Sequence, residues 1–195
     1  VGADTNLGAN TGRLTLNGGA LLANASFTLH ANRALTMTAA SGLQAASGTT
    51  LTYLGDITGS THALTINGNS QTGTVVLSGN NTYGNTTLSG GTARIASNTA
   101  LGSTGTISFE GGTLQYTSTY TADHSARFSN AANQAYAIDT NGETVTLASA
   151  LTSSGGTFVK TGTGTLIFAA DQTYTGSTTI SAGTLTLGAA GTVGS

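Results

Sequence analysis

The residue types that could do chemistry lie closest together in one stretch past the middle of the chain. Asp123, His124 and Arg127 stand within five positions of one another, and Asp139 and Glu143 follow soon after. Enzymes that cleave glycosidic bonds need a pair of carboxylates that converge on the substrate. Asp123, His124, Arg127 and Asp139 are therefore candidates for a small catalytic or ligand site on a protruding loop. We favour the alternative, in which these four residues form a solvated corner of a charge-poor protein.

No established catalytic or cofactor motif accompanies these residues. The sequence contains no P-loop, no H-E-x-x-H, no G-x-S-x-G, no EF-hand loop and no Cys/His zinc pattern. The glycines are spread along the whole chain, which does not suit a phosphate-binding loop. We therefore predict that the protein is not an enzyme and that it has no catalytic residue, no metal ion and no cofactor.

The composition excludes several classes of protein. Of the 195 residues only 6% are charged, against about a quarter in ordinary globular domains. Five basic residues and a net charge of −2 exclude an electrostatic nucleic-acid surface, so we expect no nucleic-acid partner. Roughly one residue in five is threonine, 29 are glycine and none is proline, cysteine or tryptophan. A Thr- and Gly-rich chain with scattered aliphatic residues predicts an all-β protein built from short strands.

The strands that must position the candidate residues are visible as short alternating segments. Leu14-Thr15-Leu16 and Leu64-Thr65-Ile66 are typical, because they place apolar side chains on one face and a hydroxyl on the other. Glycine and asparagine between such segments tolerate the backbone of tight corners. The spacing of the small-Gly-x-apolar steps predicts about 23 residues per coil, a size typical of solenoids. We predict a right-handed, single-stranded parallel β-helix of about eight or nine coils and about 40 Å.

The chain also repeats itself over a longer distance. The segments 73–95 and 164–187 match residue by residue, apart from one insertion at Thr175. The intervening segments match more loosely, which gives about two copies of a super-repeat of about 92 residues. We therefore predict a single β-helical module over 1–195, with an irregular, insertion-like stretch at 116–143. Because the chain begins and ends inside this cycle, we expect it to be a fragment of a longer array.

Several single residues carry expectations that a structure can test. In the repeat segments we expect Ile107 and Leu166 to point into the core, and Thr86 and Thr178 to face water. Lys160 is expected at the surface. We expect His30 and His62 at exposed corners, and turn asparagines that hydrogen-bond along the rod axis: Asn17, Asn67, Asn80, Asn81, Asn85 and Asn141.

The second repeat segment resembles a known family. The stretch from Lys160 to Gly188 is similar to the autotransporter-associated β-strand repeat, which occurs in passenger domains of type V secreted proteins of Gram-negative bacteria. The segment from Gly73 to Ile95 resembles a degraded copy, with Ala93 and Arg94 at positions where apolar and small residues are usual. The frame G-T-x-x-x followed by T-Y and G-x-T-T recurs, with Thr175 inserted after the tyrosine of the second copy, and it makes the resemblance specific.

The resemblance implies a location, a function and partners. It implies a β-helical stalk on the bacterial cell surface, exported through the periplasm and outer membrane, which assists passenger folding and secretion, often within an adhesin. A full-length member continues into a C-terminal outer-membrane β-barrel. The partners we expect are a second copy of the chain or a glycan or protein of a host surface.

Two other functions are left open by the sequence. A carbohydrate-active β-helix enzyme or carbohydrate-binding module would require acidic residues that converge in one groove. An ice-binding β-helix would require a regular flat row of threonines. The threonine pairs do not repeat in every coil, so we prefer the structural and adhesive interpretation.

Overall fold

The computed structural model describes residues 1–188 and 192–193, so five residues of the predicted module 1–195 lie outside the described part. Nineteen β-strands and two short 3-10 turns, Asp4–Leu7 and Ser125–Arg127, make up the regular structure of the described residues. None of their helical turns has the length and apolar character needed to cross a membrane.

The strands are short, as the alternating segments predict. In chain order they are β1 (Leu14–Leu16), β2 (Ala20–Ala23), β3 (Phe27–Leu29), β4 (Leu35–Met37), β5 (Ser41–Ala45), β6 (Thr50–Tyr53), β7 (Ile57–Thr58), β8 (Leu64–Ile66), β9 (Thr74–Leu77), β10 (Thr86–Leu88), β11 (Thr92–Ile95), β12 (Ile107–Phe109), β13 (Thr113–Gln115), β14 (Ala135–Asp139), β15 (Thr144–Leu147), β16 (Thr157–Thr161), β17 (Thr165–Phe168), β18 (Thr178–Ile180) and β19 (Thr184–Leu187).

The strands form four sheets in which every ladder is parallel. Sheet A is β1-β4-β7, sheet B is β2-β5-β8-β10-β12, sheet C is β3-β6-β9-β11-β13-β14-β16-β18 and sheet D is β15-β17-β19. Each strand pairs with strands one coil away, for example Leu14 with Leu35 and Leu51 with Val75. The protein is therefore a parallel β-solenoid of about eight coils, which confirms the predicted fold class. Its right-handed winding stays a prediction.

The number of residues per coil can be read from sheet C, because this sheet has a strand in each of the eight coils. Its register leads from Phe27 through Leu51, Val75 and further partners to Ile180, with about 22 residues per coil. At the usual spacing between strands the stack is about 34 Å long. Both values are close to those expected from the sequence.

The interior of the solenoid is filled by alternate strand residues. Ile107 and Leu166 are completely buried, which confirms their predicted inward orientation. The first coils bury mainly leucine, isoleucine and methionine, whereas the later coils bury aromatic rings. Phe109 packs edge-to-face on Phe128 with ring centroids 4.9 Å apart, and Phe158 packs on Phe168 at 4.8 Å. Aromatic rings bury more surface per residue and prefer these edge-to-face contacts.

The prediction that Thr86 faces water is wrong. Thr86 is completely buried, and its hydroxyl donates to the carbonyl of Leu101 at 3.1 Å and lies 3.4 Å from the hydroxyl of Tyr83. Thr86 is two positions before the buried Leu88, so strand alternation turns both side chains inward. In the second copy Thr178 is half-buried and hydrogen-bonds the hydroxyl of Tyr174. The repeated tyrosine thus supplies the partner that an inward threonine hydroxyl needs.

Five of the six predicted turn asparagines hydrogen-bond to a neighbouring coil, and none of them bonds to another asparagine: Asn67, Asn80, Asn81, Asn85 and Asn141. The prediction does not hold for Asn17, whose side chain has no hydrogen bond to a described residue. Asn67 accepts from the amide of Ala45 at 2.8 Å and donates to the carbonyl of Gly73. Asn81 accepts from the amide of Ile57 at 2.8 Å and donates to the carbonyl of Ala100 at 2.8 Å. These amide side chains join neighbouring coils where the chain turns a corner.

The two repeat copies lie on different faces of the solenoid. Strands β9, β10 and β11 of the first copy belong to sheets C, B and C, whereas the matching β17, β18 and β19 belong to sheets D, C and D. The repeat distance of about 92 residues is longer than four coils of about 22 residues. The second copy is therefore displaced around the rod, and the motif specifies a local strand-corner-strand unit independent of the face.

The N-terminal segment is held against the first coils by a buried arginine. The guanidinium of Arg33, which is 1% exposed, forms a 2.7 Å ion pair with Asp4. It also donates to the backbone carbonyls of Leu7, Gly8 and Gly12 at 3.1–3.2 Å. The 3-10 turn thereby covers this end of the described core.

Shortening Leu166 to alanine is expected to lower the free energy of unfolding by about 2–5 kcal/mol, because it leaves a cavity among fully buried neighbours. The matched control is Ile167→Ala on the outward side of the same strand, for which we expect a loss below about 1 kcal/mol. Urea unfolding followed by circular dichroism measures both. Equal losses would mean that the inward and outward faces of β17 are wrongly assigned.

Candidate functional site

Asp123 joins two coils through its carboxylate. Its side chain is exposed, yet one oxygen accepts from the amide of Ser125 at 2.7 Å and the other accepts from the amide of Ala148 at 2.9 Å. Ala148 directly follows β15, one coil further along the rod. The carboxylate therefore replaces a ladder hydrogen bond at an irregular corner. A short Asx-type turn of this kind is a common use of aspartate.

Arg127 binds the corner of the preceding coil. Its guanidinium donates to the backbone carbonyls of Leu101, Gly102, Thr104 and Gly105 at 2.7–2.9 Å. These carbonyls lie where the chain passes from β11 to β12 without an intervening strand. Planar arginine, with five donors, can satisfy several such carbonyls at once.

His124, which lies between Asp123 and Arg127 in the sequence, has a buried side chain. Its ring stacks on that of Tyr116, with centroids 6.5 Å apart and an angle of 21°. Among the described residues the His124 Nε2 and the Tyr116 hydroxyl are buried without a hydrogen-bond partner. Burial lowers the pKa of His124, and nearby Arg127 lowers it further while Asp123 opposes the shift. Burial also raises the pKa of Tyr116, so both rings are uncharged near neutral pH.

The structure does not bring Asp139 into the same site. Asp139 ends strand β14 on the outer face of sheet C, where it accepts from Gln115 Nε2 at 2.6 Å and from the amide of Asn141 at 2.8 Å. Gln115 in turn accepts from Arg94 Nε. The three side chains form a row across three neighbouring coils. Asp123, His124 and Arg127 share none of these contacts, so the four predicted residues divide into a corner and a sheet face.

The partners of Asp139 could not be found from spacing in the sequence. Arg94, Gln115 and Asp139 are far apart in the chain, and only the register of sheet C places them side by side. Gly162, on the adjacent coil, makes room for the carboxylate, because a Cβ there would collide with it. Only knowledge of which strands pair, and in which register, would identify these partners.

The irregular stretch is shorter than the predicted 116–143, because strand β14 lies within it. The irregular part runs from residue 116 to residue 134, and it contains the 3-10 turn and an isolated antiparallel bridge between Thr117 and Tyr120. Residues 135–139 are regular strand. Their alternation, with Tyr136 and Ile138 buried, resembles that of the other strands.

The prediction that Lys160 lies at the surface is wrong. The side chain is completely buried in β16, and its Nζ donates to the carbonyl of Gly162 at 2.8 Å and to those of Thr161 and Ala182. Burial lowers the pKa of Lys160, and Asp139 opposes this shift. Of the two corner histidines, His30 is exposed as expected and His62 is half-buried.

Besides these clusters, the described surface has polar grooves beside sheets A and B. The groove beside sheet B has a volume of about 460 Å³ and is lined by Ser41, Gln44, Thr65 and Asn69, among others. A cavity of about 330 Å³ beside sheet A is lined by Arg13, Asn32, Thr36, Asp56 and Thr58, among others. No group of three or more His, Cys, Asp or Glu side chains placed to hold a metal ion occurs in the described residues.

Comparisons with known proteins agree with the resemblance seen in the sequence. Residues 70–92 and 158–187 match the passenger-associated-transport-repeat family. The adhesin BmaC autotransporter of Brucella suis biovar 1 (strain 1330) is 39% identical over 99 residues, which are 50% of this chain and 3% of that protein. The chain thus spans a small fraction of the relative it matches. No solved structure matches it. The repeats and the solenoid together confirm the resemblance to autotransporter passengers.

Replacing Arg127 by alanine is expected to lower the free energy of unfolding by about 1–3 kcal/mol, because four corner carbonyls lose a charged donor. Arg13→Ala is the matched control, since Arg13 is exposed and we expect less than about 0.5 kcal/mol there. The measurement is urea unfolding of both variants. If the Arg127 variant is as stable as the control, water satisfies the four carbonyls as well as the guanidinium does.

Acid is expected to destabilise the fold through His124. Because its pKa in the folded state lies below the ordinary value of 6.5, the unfolded chain takes up the proton first as the pH falls. This stability is complete above pH 6.5 and decreases from there down to the folded-state pKa. Urea unfolding at about pH 7.5 and about pH 4.5 measures the loss. His124→Phe keeps the stacking on Tyr116 and should reduce the difference, whereas an unchanged difference would assign it to other groups.

Proposed function

We propose that the chain is a stalk segment of a surface-displayed autotransporter passenger, which supports folding and export of the passenger and contributes to adhesion. One observation carries the proposal: sheet C continues through all eight coils without a missing strand. A continuous parallel ladder makes a rod whose length is set by the number of coils. Surface display and adhesion come from the family resemblance and from the adhesin relative.

The pairing pattern suits folding from one end during export. Each coil finds its hydrogen-bond partners in the adjacent coils, so a folded coil offers a complete edge to the next. The chain has no cysteine, and its folding depends on no disulfide. A chain that emerges gradually can then add coils one at a time, and the gain in hydrogen bonds favours outward movement.

The outer face of sheet C supports the adhesive part of the proposal. It carries a row of threonines, Thr50, Thr74, Thr92 and Thr113, directly paired across four coils. Hydroxyls of this kind can donate to and accept from a glycan or a protein backbone. The low charge of the chain removes the repulsion that would keep another surface away.

The placement of the carboxylates favours this role over glycoside hydrolysis. Asp123 and Asp139 each use both oxygens for hydrogen bonds within the rod, and they lie on different parts of it. The polar groove beside sheet A is the feature that would suit a carbohydrate-binding module instead. Ice binding has less support, because Val76 and Arg94 interrupt the second threonine row of sheet C.

The test of the stalk function is passenger display on the bacterial surface. Ile138→Asp places a charge in the buried ladder of sheet C, and we expect it to reduce display of the full-length passenger strongly. Ala137→Asp introduces the same charge one residue earlier on the outer side and should leave display near the wild-type level. External protease cleavage of intact cells measures both. Equal display of the two variants would contradict a function that depends on the folded rod.

A further inference from the structure

The outer face of sheet C carries two charges of opposite sign, one on either side of Gln115. Arg94 pairs in register with Gln115, and Gln115 pairs with Asp139, so each charge lies one coil away from the glutamine. The other outward positions of these eight strands are Thr, Ala, Val and Gln. Lys160, the remaining charged residue of the sheet, points inward. The arrangement is a single dipole along the rod axis, centred on Gln115.

The two charged side chains are held in a fixed row. Gln115 binds Arg94 Nε with its oxygen and Asp139 with its nitrogen. The amide of Asn141 binds the second carboxylate oxygen of Asp139. The terminal guanidinium nitrogens of Arg94 have no hydrogen-bond partner among the described residues. They remain free to bind an acceptor outside the chain.

We propose that this face binds the same face of a second copy in antiparallel orientation. A two-fold axis that lies between the copies, parallel to the strands and level with Gln115, places Arg94 opposite the partner's Asp139. The same operation places Asp139 opposite the partner's Arg94. Such an isologous contact forms both ion pairs at once. A parallel arrangement would instead place like charges opposite each other, so the charge pattern selects the antiparallel one.

The dimensions of the face indicate a weak contact between single copies. In the antiparallel register Val76 lies opposite the partner's Thr161, and the seven coils from β6 to β18 overlap. This gives a flat patch of roughly 29 by 13 Å, which is smaller than a stable protein interface and suits a weak, transient contact. Exposed ion pairs add little affinity individually but exclude wrong registers. Many copies on two facing surfaces would raise the total strength through avidity.

The inference rests on the proposed adhesive function and names its partner as a second copy of this chain. The stalk function does not depend on it. Arg94 and Val76 face outward and hold no backbone group, so variants there should leave passenger display unchanged while they alter self-association. A failure of the pairing is therefore distinguishable from a failure of the stalk.

The test is sedimentation equilibrium of the 195-residue chain at low salt, with charge-reversed variants. Arg94→Asp alone and Asp139→Arg alone should each weaken self-association at least about tenfold, because both ion pairs become repulsive. An equimolar mixture of the two single variants should associate again, and so should the double variant. Arg13→Asp and Glu110→Arg are the matched controls, which reverse exposed charges elsewhere and should associate like the wild type.

Val76→Glu provides a second approach that does not alter the contacts of Asp139. It places a negative charge one coil from the partner's Asp139 and should also weaken association, and circular dichroism of every variant establishes that the fold is kept. The proposal is overturned by a wild type that remains monomeric at all concentrations. It is equally overturned if the single variants associate like the wild type. That result would be expected if the copies associate through the exposed Ile180 and Leu187 instead. A folded mixture that fails to associate has the same meaning.

Discussion

The backbone of each coil directs its N–H and C=O groups along the rod, and only an adjacent coil can satisfy them. Buried backbone groups without a partner are costly, so this requirement decides where the chain can deviate from a strand. Where it does deviate, a side chain provides the missing group. The amide of Phe109 donates to Gln134 Oε1 at 2.9 Å, and that of Leu151 donates to Gln172 Oε1 at 2.8 Å. Buried glutamine and asparagine therefore allow corners that would otherwise break the stack.

Carbonyl groups at the corners are satisfied by a second device, buried or half-buried cations. Arg33, Arg127 and Lys160 are three of the five basic residues, and each donates to at least three backbone carbonyls. Each lies beside a segment without a strand of its own. In a chain with so few charges, most of the basic side chains thus stabilise its irregular segments. This leaves Arg94 and Arg13 for the surface.

The sequence predicts the local structure better than the contacts between coils. Alternation and corner residues suffice for the fold class, the coil length and the inward orientation of Leu166. They do not suffice for Thr86, because a threonine is compatible with either face until its partner Tyr83 is located. The sequence does not reveal the buried position of Lys160 for a similar reason, since one of its carbonyl partners, Ala182, belongs to the next coil. The association of Asp139 with Gln115 and Arg94 depends on register across three coils, and spacing along one chain does not contain that information.

The continuity of sheet C has a mechanical consequence. Among the described residues it is the one sheet present in all eight coils, whereas sheets A and B end at β7 and β12 and sheet D begins at β15. A beam with one continuous side and interrupted opposite sides resists bending unequally in different directions. The rod should be stiffest when sheet C is stretched along its axis. It should yield most easily where sheets A and D leave a gap, near the irregular segment that contains His124 and Arg127.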